Sequence, residues 1–235
     1  MIHENKLWPH ALEPLTQIIR EFDYPISVLE VGTWFGKGSM SLWLTECKDN
    51  SNLTVVDAWR PYASEKDLAS YPDYAEDDLA TKDAFLSTFD IIKNFEENNR
   101  ERCLEINMIR GDSRNVLPKL KNDQFDFIYI DGDHKYDPVK KEIQNAKRLI
   151  KKDFGIICGD DYETYPTDEL LEIARNNKTT DYINNCHTGV LLAVHEEFAS
   201  KVNKYNSTWW IYCIDGKFTT VNLNTKITLD GFYKG

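Results

Sequence analysis

The run Val28-Leu29-Glu30-Val31-Gly32-Thr33-Trp34-Phe35-Gly36-Lys37-Gly38-Ser39 constrains this chain more than any other segment. Ile26 to Val31 is short and apolar, as a buried strand is. It breaks at a glycine-rich turn, and Ser39 to Leu44 then reads as a helix. Glycine lets a backbone approach a ligand closely, because no Cβ stands in the way. The unpaired N–H groups at the start of the next helix face the same space. Strand, glycine turn and helix in that order form the leading edge of a nucleotide-type cofactor site at the end of a parallel sheet.

The glycines fall as Gly32-x-x-x-Gly36-x-Gly38, which is not the G-x-G-x-x-G of a pyrophosphate-binding turn. Glu30 stands just ahead of the first glycine, where it would repel a pyrophosphate. A carboxylate there suits a cofactor that carries positive charge.

The rest of the chain repeats the alternation. Leu7 to Phe22 carries a helical stripe of Trp8, Leu12, Leu15, Ile18, Ile19 and Phe22. Strands are expected at Ile26 to Val31, Leu53 to Asp57, Leu104 to Ile109, Phe125 to Ile130, Gly155 to Cys158, Val190 to Val194 and Thr208 to Ile214. Lys217 to Val221 extends the last into a hairpin. Helices are expected at Gly38 to Cys47, Thr81 to Asn98, Asn115 to Leu120, Asp137 to Lys151, Asp168 to Asn176 and Glu196 to Lys204. Trp59 to Leu79 is polar and rich in aromatics. Strands alternating with helices argue for a mostly parallel sheet covered on both faces, with an antiparallel last strand.

At 235 residues, 41% of them hydrophobic, the chain suits one sizeable α/β domain, with a helical segment over 1–24 and an insertion over 59–80. A net charge of −11 argues against a nucleic-acid partner and gives no support for an anionic membrane surface. No run approaches the ~20 apolar residues of a membrane span, and the first residues lack the apolar core of a signal peptide. The five cysteines, Cys47, Cys103, Cys158, Cys186 and Cys213, form no C-x-x-C pair. Cys103, Cys158 and Cys213 lie in or beside expected strands and read as small buried thiols, which fits a reducing cytoplasm. The oligomeric state is left open, a homodimer among the options.

The pattern E-x-G-x-x-x-G-x-G resembles the first motif of the class I S-adenosylmethionine-dependent methyltransferases. The resemblance spans roughly Val28 to Val194. It implies a Rossmann-like, seven-stranded sheet and S-adenosyl-L-methionine lying over Glu30, Gly32, Thr33, Gly36, Gly38 and Ser39. Asp57 ends the second strand, about 25 residues after the turn, where an acid accepts hydrogen bonds from ribose hydroxyls. The other reading is a helix-capping or turn aspartate, which the glycine turn ahead of it makes the weaker one. The resemblance sets Asp112 and Ser113 at the adenine amino group, while local reading makes either one a helix cap. Trp59 and Tyr62 could flank adenine or pack on the surface. The 59–80 segment, with Tyr62, Tyr71 and Tyr74, falls where the family often has a lid.

A second motif runs Asp126-Phe127-Ile128-Tyr129-Ile130-Asp131-Gly132-Asp133-His134-Lys135-Tyr136, and a third ends a strand in Asp160-Asp161-Tyr162. Neighbouring strands would bring Asp131, Asp160 and Asp161 together, and three carboxylates that close repel unless a cation sits among them. Oxygen ligands favour a hard divalent ion such as Mg²⁺. These pieces resemble the metal-dependent O-methyltransferases, the macrolide-sugar group above all. The other reading makes Asp160 and Asp161 loop acids and Asp133 a helix cap. His134 follows Asp131 by three residues, where related catechol-type enzymes carry a lysine base. Its ordinary pKa of ~6.5 would let it take a proton at neutral pH; otherwise it bonds the cofactor, which Asp131 and Asp133 also border, or orients Asp131. His187 and His195 bracket the expected sixth strand and His10 lies near the N-terminal helix; any of them could approach substrate, but isolated histidines are more often structural.

The function expected is O-methylation of a hydroxyl on a small molecule or glycan, with Asp131 and His134 as catalytic groups. A nicotinamide-dependent oxidoreductase on a similar sheet, or a non-catalytic cofactor-binding member, are the alternatives.

Overall fold

Val28, Leu29 and Val31 are buried on both faces of the sheet, which places their strand at its centre. The computed structural model describes residues 9–61, 63–70, 74–199 and 201–221. In chain order the elements that build the sheet are β1 (Ser27–Val31), α2 (Ser39–Glu46), β2 (Asn52–Asp57), α5 (Thr81–Asn98), β3 (Glu105–Arg110), β4 (Phe127–Ile130), α7 (Tyr136–Leu149) and β5 (Phe154–Gly159). Helix α1 (Pro9–Ile19) precedes them, and α3 (Glu65–Ser70) and α4 (Tyr74–Leu79) lie between β2 and α5. A short α6 (Ser113–Val116) follows β3, and after β5 come α8 (Asp168–Asn176), α9 (Thr188–Phe198), β6 (Asn203–Tyr205), β7 (Thr208–Ile214) and β8 (Lys217–Thr219).

The order across the sheet is β3-β2-β1-β4-β5-β7-β6, with β8 paired to β7. β1, β2, β3, β4 and β5 run parallel, and the three strands at the far edge are antiparallel to their neighbours. The expected α/β sheet with an antiparallel end is therefore present, with eight strands rather than seven among the described residues. One apolar layer packs α7 and α9 on one face; the other packs α1, α2 and α5. The sequence order reverses between β1 and β4, so the carboxyl ends of those strands form the crevice where ligands bind in such sheets.

Two local expectations fail. Val190 to Val194 is not a strand but the middle of α9, and β6 occupies part of the stretch read as helix over Glu196 to Lys204. Every residue from Thr188 to Val194 is buried, so the run carries no period that separates strand from helix. In α1, Leu12 is exposed, and the buried stripe is Ala11, Leu15, Ile18 and Ile19. Trp8, and the side chain of His10, lie outside the described residues, as do Tyr62, Tyr71 and the side chain of Tyr74.

Two glycines weld the site-bearing loop after β4 to its neighbours. A Cβ on Gly32 would sit 1.9 Å from the Asp131 carbonyl oxygen, and one on Gly189 would sit 2.4 Å from that of His134. The chain after β4 is thus clamped between the turn after β1 and the start of α9.

Candidate active site

The glycine turn is held from behind. Gly32 and Gly36 both have positive φ, +83° and +70°. The Asp57 carboxylate accepts the N–H groups of Thr33 and Trp34 at 2.9 Å on one oxygen and that of Trp59 at 2.7 Å on the other. Burial raises the Asp57 pKa against the pull of these donors. Asp57 is therefore the fastener of the turn, and a carboxylate with this many lone pairs keeps room for a further donor. At Gly32 the close approach serves the Asp131–Gly132 backbone rather than a ligand.

Trp59 corrects an expectation. It is 1% exposed, its indole N–H donates to the Trp34 carbonyl at 2.8 Å, and its ring meets Phe85 at 5.2 Å. A side chain so enclosed braces the turn and offers no face to an adenine ring. Glu30 is fully buried behind the turn, where the Ser39 hydroxyl donates to it. Burial pushes its pKa up to about 8. Thr33 is buried too, and Gly38 caps α2.

The Glu30 shift has a consequence for stability. The folded protein keeps a proton here that the unfolded chain releases near pH 4.5, so stability falls as pH rises from there through about 8. Glu30→Gln should gain on the parent by an amount that grows with pH, on the order of 1 kcal/mol per unit at most within that window. Urea midpoints from pH 5 to 8 test this, and parallel curves for the two proteins would refute it.

At the end of β3, Asp112 caps α6 through the Arg114 N–H at 2.9 Å and also takes the guanidinium groups of Arg114 and Arg60. The Arg114 bonds hold its pKa down at about 2. Ser113 donates instead to Glu142 of α7, at 2.5 Å. Asp133 accepts the Lys135 N–H at 3.1 Å, a turn contact.

Beyond the crevice lies a dense charge cluster. His134 Nε2 is 3.1 Å from Asp161 Oδ2 and 3.8 Å from Asp131 Oδ1, while its Nδ1 is 3.2 Å from Asp181 Oδ1. His187 Nδ1 meets Glu163 at 2.5 Å and Asp161 at 3.4 Å, and the two imidazole rings lie 4.6 Å apart. Burial alone would lower the His134 pKa, but Asp161, Asp181 and Asp131 together raise it well above the ordinary value. Burial raises Asp160 and Asp161, helped at Asp160 by the other two carboxylates and opposed at Asp161 by the two histidines. Asp161 itself sits at φ +63°, with its N–H bonded to Asp160 Oδ1 at 2.9 Å. Tyr129 donates to Asp131 at 3.2 Å.

Among the described residues, the ligand atoms that converge within 4.8 Å belong to His134, Asp161 and His187. Of the three carboxylates expected to converge, only Asp161 is in that set; Asp131 and Asp160 border it. The reason is that the two imidazoles insert against Asp161. His187, read from sequence as structural, stands at the centre, whereas His195 lies in the last turn of α9.

The insertion after β2 reaches this cluster. Asp67 of α3 is buried; it accepts the Asp181 N–H at 3.1 Å and lies 3.2 Å from Lys135 Nζ. Asp181 in turn holds His134. Glu163, Asp181, Asp67 and Glu142 gave no signal in the sequence, except that Glu163 closes the Asp160-Asp161-Tyr162-Glu163 run.

The sequence profile of a family described as a methyltransferase domain matches residues 29–162, more than half of the chain. No curated protein matches the sequence. Among solved structures, a candidate caffeoyl-CoA O-methyltransferase from Staphylococcus aureus aligns over 92% of this chain and 85% of its own, with TM-score 0.57 and 14% identity. A candidate O-methyltransferase from Klebsiella pneumoniae aligns over 91% and 84%, with TM-score 0.53 and 14% identity. No described helix is long and apolar enough to cross a membrane. With its glycine turn at the switch point of a mostly parallel sheet, the chain belongs to the methyltransferase-domain family, as a class I S-adenosylmethionine-dependent methyltransferase.

Proposed function

We propose that the protein is a cytoplasmic, divalent-metal-assisted O-methyltransferase acting on a hydroxyl of a small molecule or sugar. The observation that carries this reading is the charge balance beyond the crevice. Asp131, Asp160, Asp161, Glu163 and Asp181 supply five carboxyl groups against the two imidazoles of His134 and His187 and the ammonium of Lys204. Even with both rings charged, the cluster has an excess of negative charge that a cation would offset. Its mainly oxygen donors fit Mg²⁺, which Asp131, Asp160 and Asp161 would hold. Bound there, the ion would lower the pKa of the acceptor hydroxyl. The names of the S. aureus and K. pneumoniae neighbours support oxygen as the atom methylated.

The chain's own groups do the rest. The surrounding carboxylates hold the His134 imidazole protonated; positive charge from an ion at Asp131, Asp160 and Asp161 would bring its pKa down, and Nε2, with Nδ1 facing Asp181, would then take the acceptor's proton. Gly32, Thr33, Gly36, Gly38 and Ser39 border the methionine end of the cofactor, and Asp57 adds ribose contacts to its hold on the turn. The helices of the 59–80 insertion, tied to the His134 loop through Asp67, form the acceptor-side lid and keep water out.

S-adenosylhomocysteine should bind by calorimetry with or without chelator. Methyl transfer to a panel of sugars and catechols, read as S-adenosylhomocysteine release, should stop on chelation and return with Mg²⁺. Absence of binding would overturn the cofactor assignment; full activity after exhaustive chelation would overturn the metal.

A further inference from the structure

A hard ion such as Mg²⁺ takes oxygen ligands and makes no use of the two imidazoles that crowd Asp161. Imidazole nitrogen suits the ions of the zinc class, Zn²⁺, Co²⁺ and Ni²⁺. His134 Nε2 stands 3.1 Å from Asp161 Oδ2, and His187 Nδ1 stands 3.4 Å from Asp161 Oδ1. Donors around a four-coordinate zinc ion, each about 2.0–2.1 Å from the metal, lie roughly 3.3 Å apart. The two separations bracket that value. Among the described residues these three side chains each offer a ligand atom, and the atoms all lie within 4.8 Å of one another. Glu163 is the next donor in reach, with Oε1 against His187 Nδ1 and Oε2 accepting the His187 backbone N–H at 3.1 Å.

The support behind the rings is that of a metal centre. His134 turns its other nitrogen, Nδ1, to the buried Asp181 at 3.2 Å, the carboxylate–histidine pairing that orients a ligating ring. His187 caps α9, and the start of that helix is packed on the His134 backbone at Gly189, where a Cβ would sit 2.4 Å from the His134 carbonyl oxygen. Both rings are therefore held in place before an ion arrives.

We propose that His134, Asp161 and His187 form a second metal site, selective for a zinc-class ion, and that an ion held there shuts methyl transfer off. It takes the Nε2 lone pair that must otherwise receive the acceptor's proton, and it draws Asp161 away from Mg²⁺. The carboxylates that hold protons on the rings attract the doubly charged ion as well, and its binding displaces those protons. What the ion blocks rests on the function proposed above; the site itself does not.

The test uses the full chain, stripped of metal by a chelator and dialysed free of it. Titration with Co²⁺ alone should give the strong visible absorption of a four- or five-coordinate, nitrogen-ligated ion, which six-coordinate oxygen sites lack. Zn²⁺ added afterwards should bleach it. His187→Ala should lose the band and weaken Zn²⁺ at least about tenfold in competition with a chromophoric chelator, since a lost ligand costs more than a lost outer partner. His187→Asn, whose side chain caps helices well, serves if the alanine variant folds poorly. Asp160→Asn lies outside the donor set, can still accept the Asp161 N–H, and should keep the band. In the Mg²⁺-loaded parent, Zn²⁺ should stop methyl transfer at the concentration that bleaches the band, and the His187 variants should need at least about tenfold more. A parent without the band, or a band unchanged in the His187 variants, would overturn the site. Transfer that persists with the site filled would overturn the shut-off. A parent that transfers no methyl group with Mg²⁺ and without a zinc-class ion would count against the proposed function, while the band would still establish the site.

Discussion

His134→Ala is expected to lose about 10²–10⁴-fold in kcat, the range typical of removing a positioned general base. Affinity for S-adenosylhomocysteine should hardly change, because the ring faces the Asp161 side of the crevice and not the glycine turn. The geometry makes the proposal specific. With Nδ1 on Asp181 and Nε2 toward Asp161, only Nε2 can meet an acceptor hydroxyl. His187→Ala should cost less. Its Nδ1 is engaged by Glu163, so it acts by holding Asp161 and the neighbouring ring. The measurement is kcat on whichever acceptor turns over, with cofactor binding as the control for folding. A His134→Ala enzyme that binds S-adenosylhomocysteine normally and keeps near-parent kcat would leave proton removal to solvent or to Asp131.

The front of the site was legible because its signals are local. A strand, three glycines and a helix lie within one short run, and Asp57 ends the next strand in register beside it, across from Arg110. Parallel order follows from the alternation of elements, and the switch point between β1 and β4 follows from that order. What the pattern could not carry is anything decided by a distant partner. Thr188 to Val194 is buried on every side, so tertiary packing against α7, not periodicity, makes it a helix. That helix brings His187 against His134, and no spacing in the chain announces the pair.

Trp59 shows the same limit from the other direction. A tryptophan just past a ribose-position aspartate looks like a ring-stacking residue, yet its partners Phe85 and Trp34 enclose it. Glu142 is more instructive still. Nothing in the charged sequence of α7 marks it out, and only the close passage of Gly132 and Ser113 reveals that it is buried. The carboxylates at strand ends were correctly brought to one region by topology. Their detailed convergence was altered by imidazoles arriving from elsewhere in the chain.

Gly32→Ala should destabilise the protein by more than about 3 kcal/mol and in practice prevent folding, among the largest effects a single methyl group can have. Two causes combine at this position. The backbone is held at φ +83°, which alone strains an L-residue by roughly 1–2 kcal/mol. The added methyl would also meet the Asp131 carbonyl oxygen at 1.9 Å, its carbon at 2.5 Å and Gly132 Cα at 2.7 Å. All three are backbone atoms, so no side-chain rotation can relieve the clash. The strands themselves cannot part: Gly32 N–H bonds Val56 O at 2.9 Å, and Asp131 N–H bonds Val31 O at 2.8 Å. Gly216 provides the control, since it has φ +72° with nothing within 4 Å of its Cβ position. Gly216→Ala should therefore show the conformational strain alone, roughly 1–2 kcal/mol. Urea denaturation of the two variants separates strain from collision. Equal losses would mean that the turn and the loop after β4 can slide apart, and that the clamp around Asp131 and His134 is not the rigid support that the proposed chemistry needs.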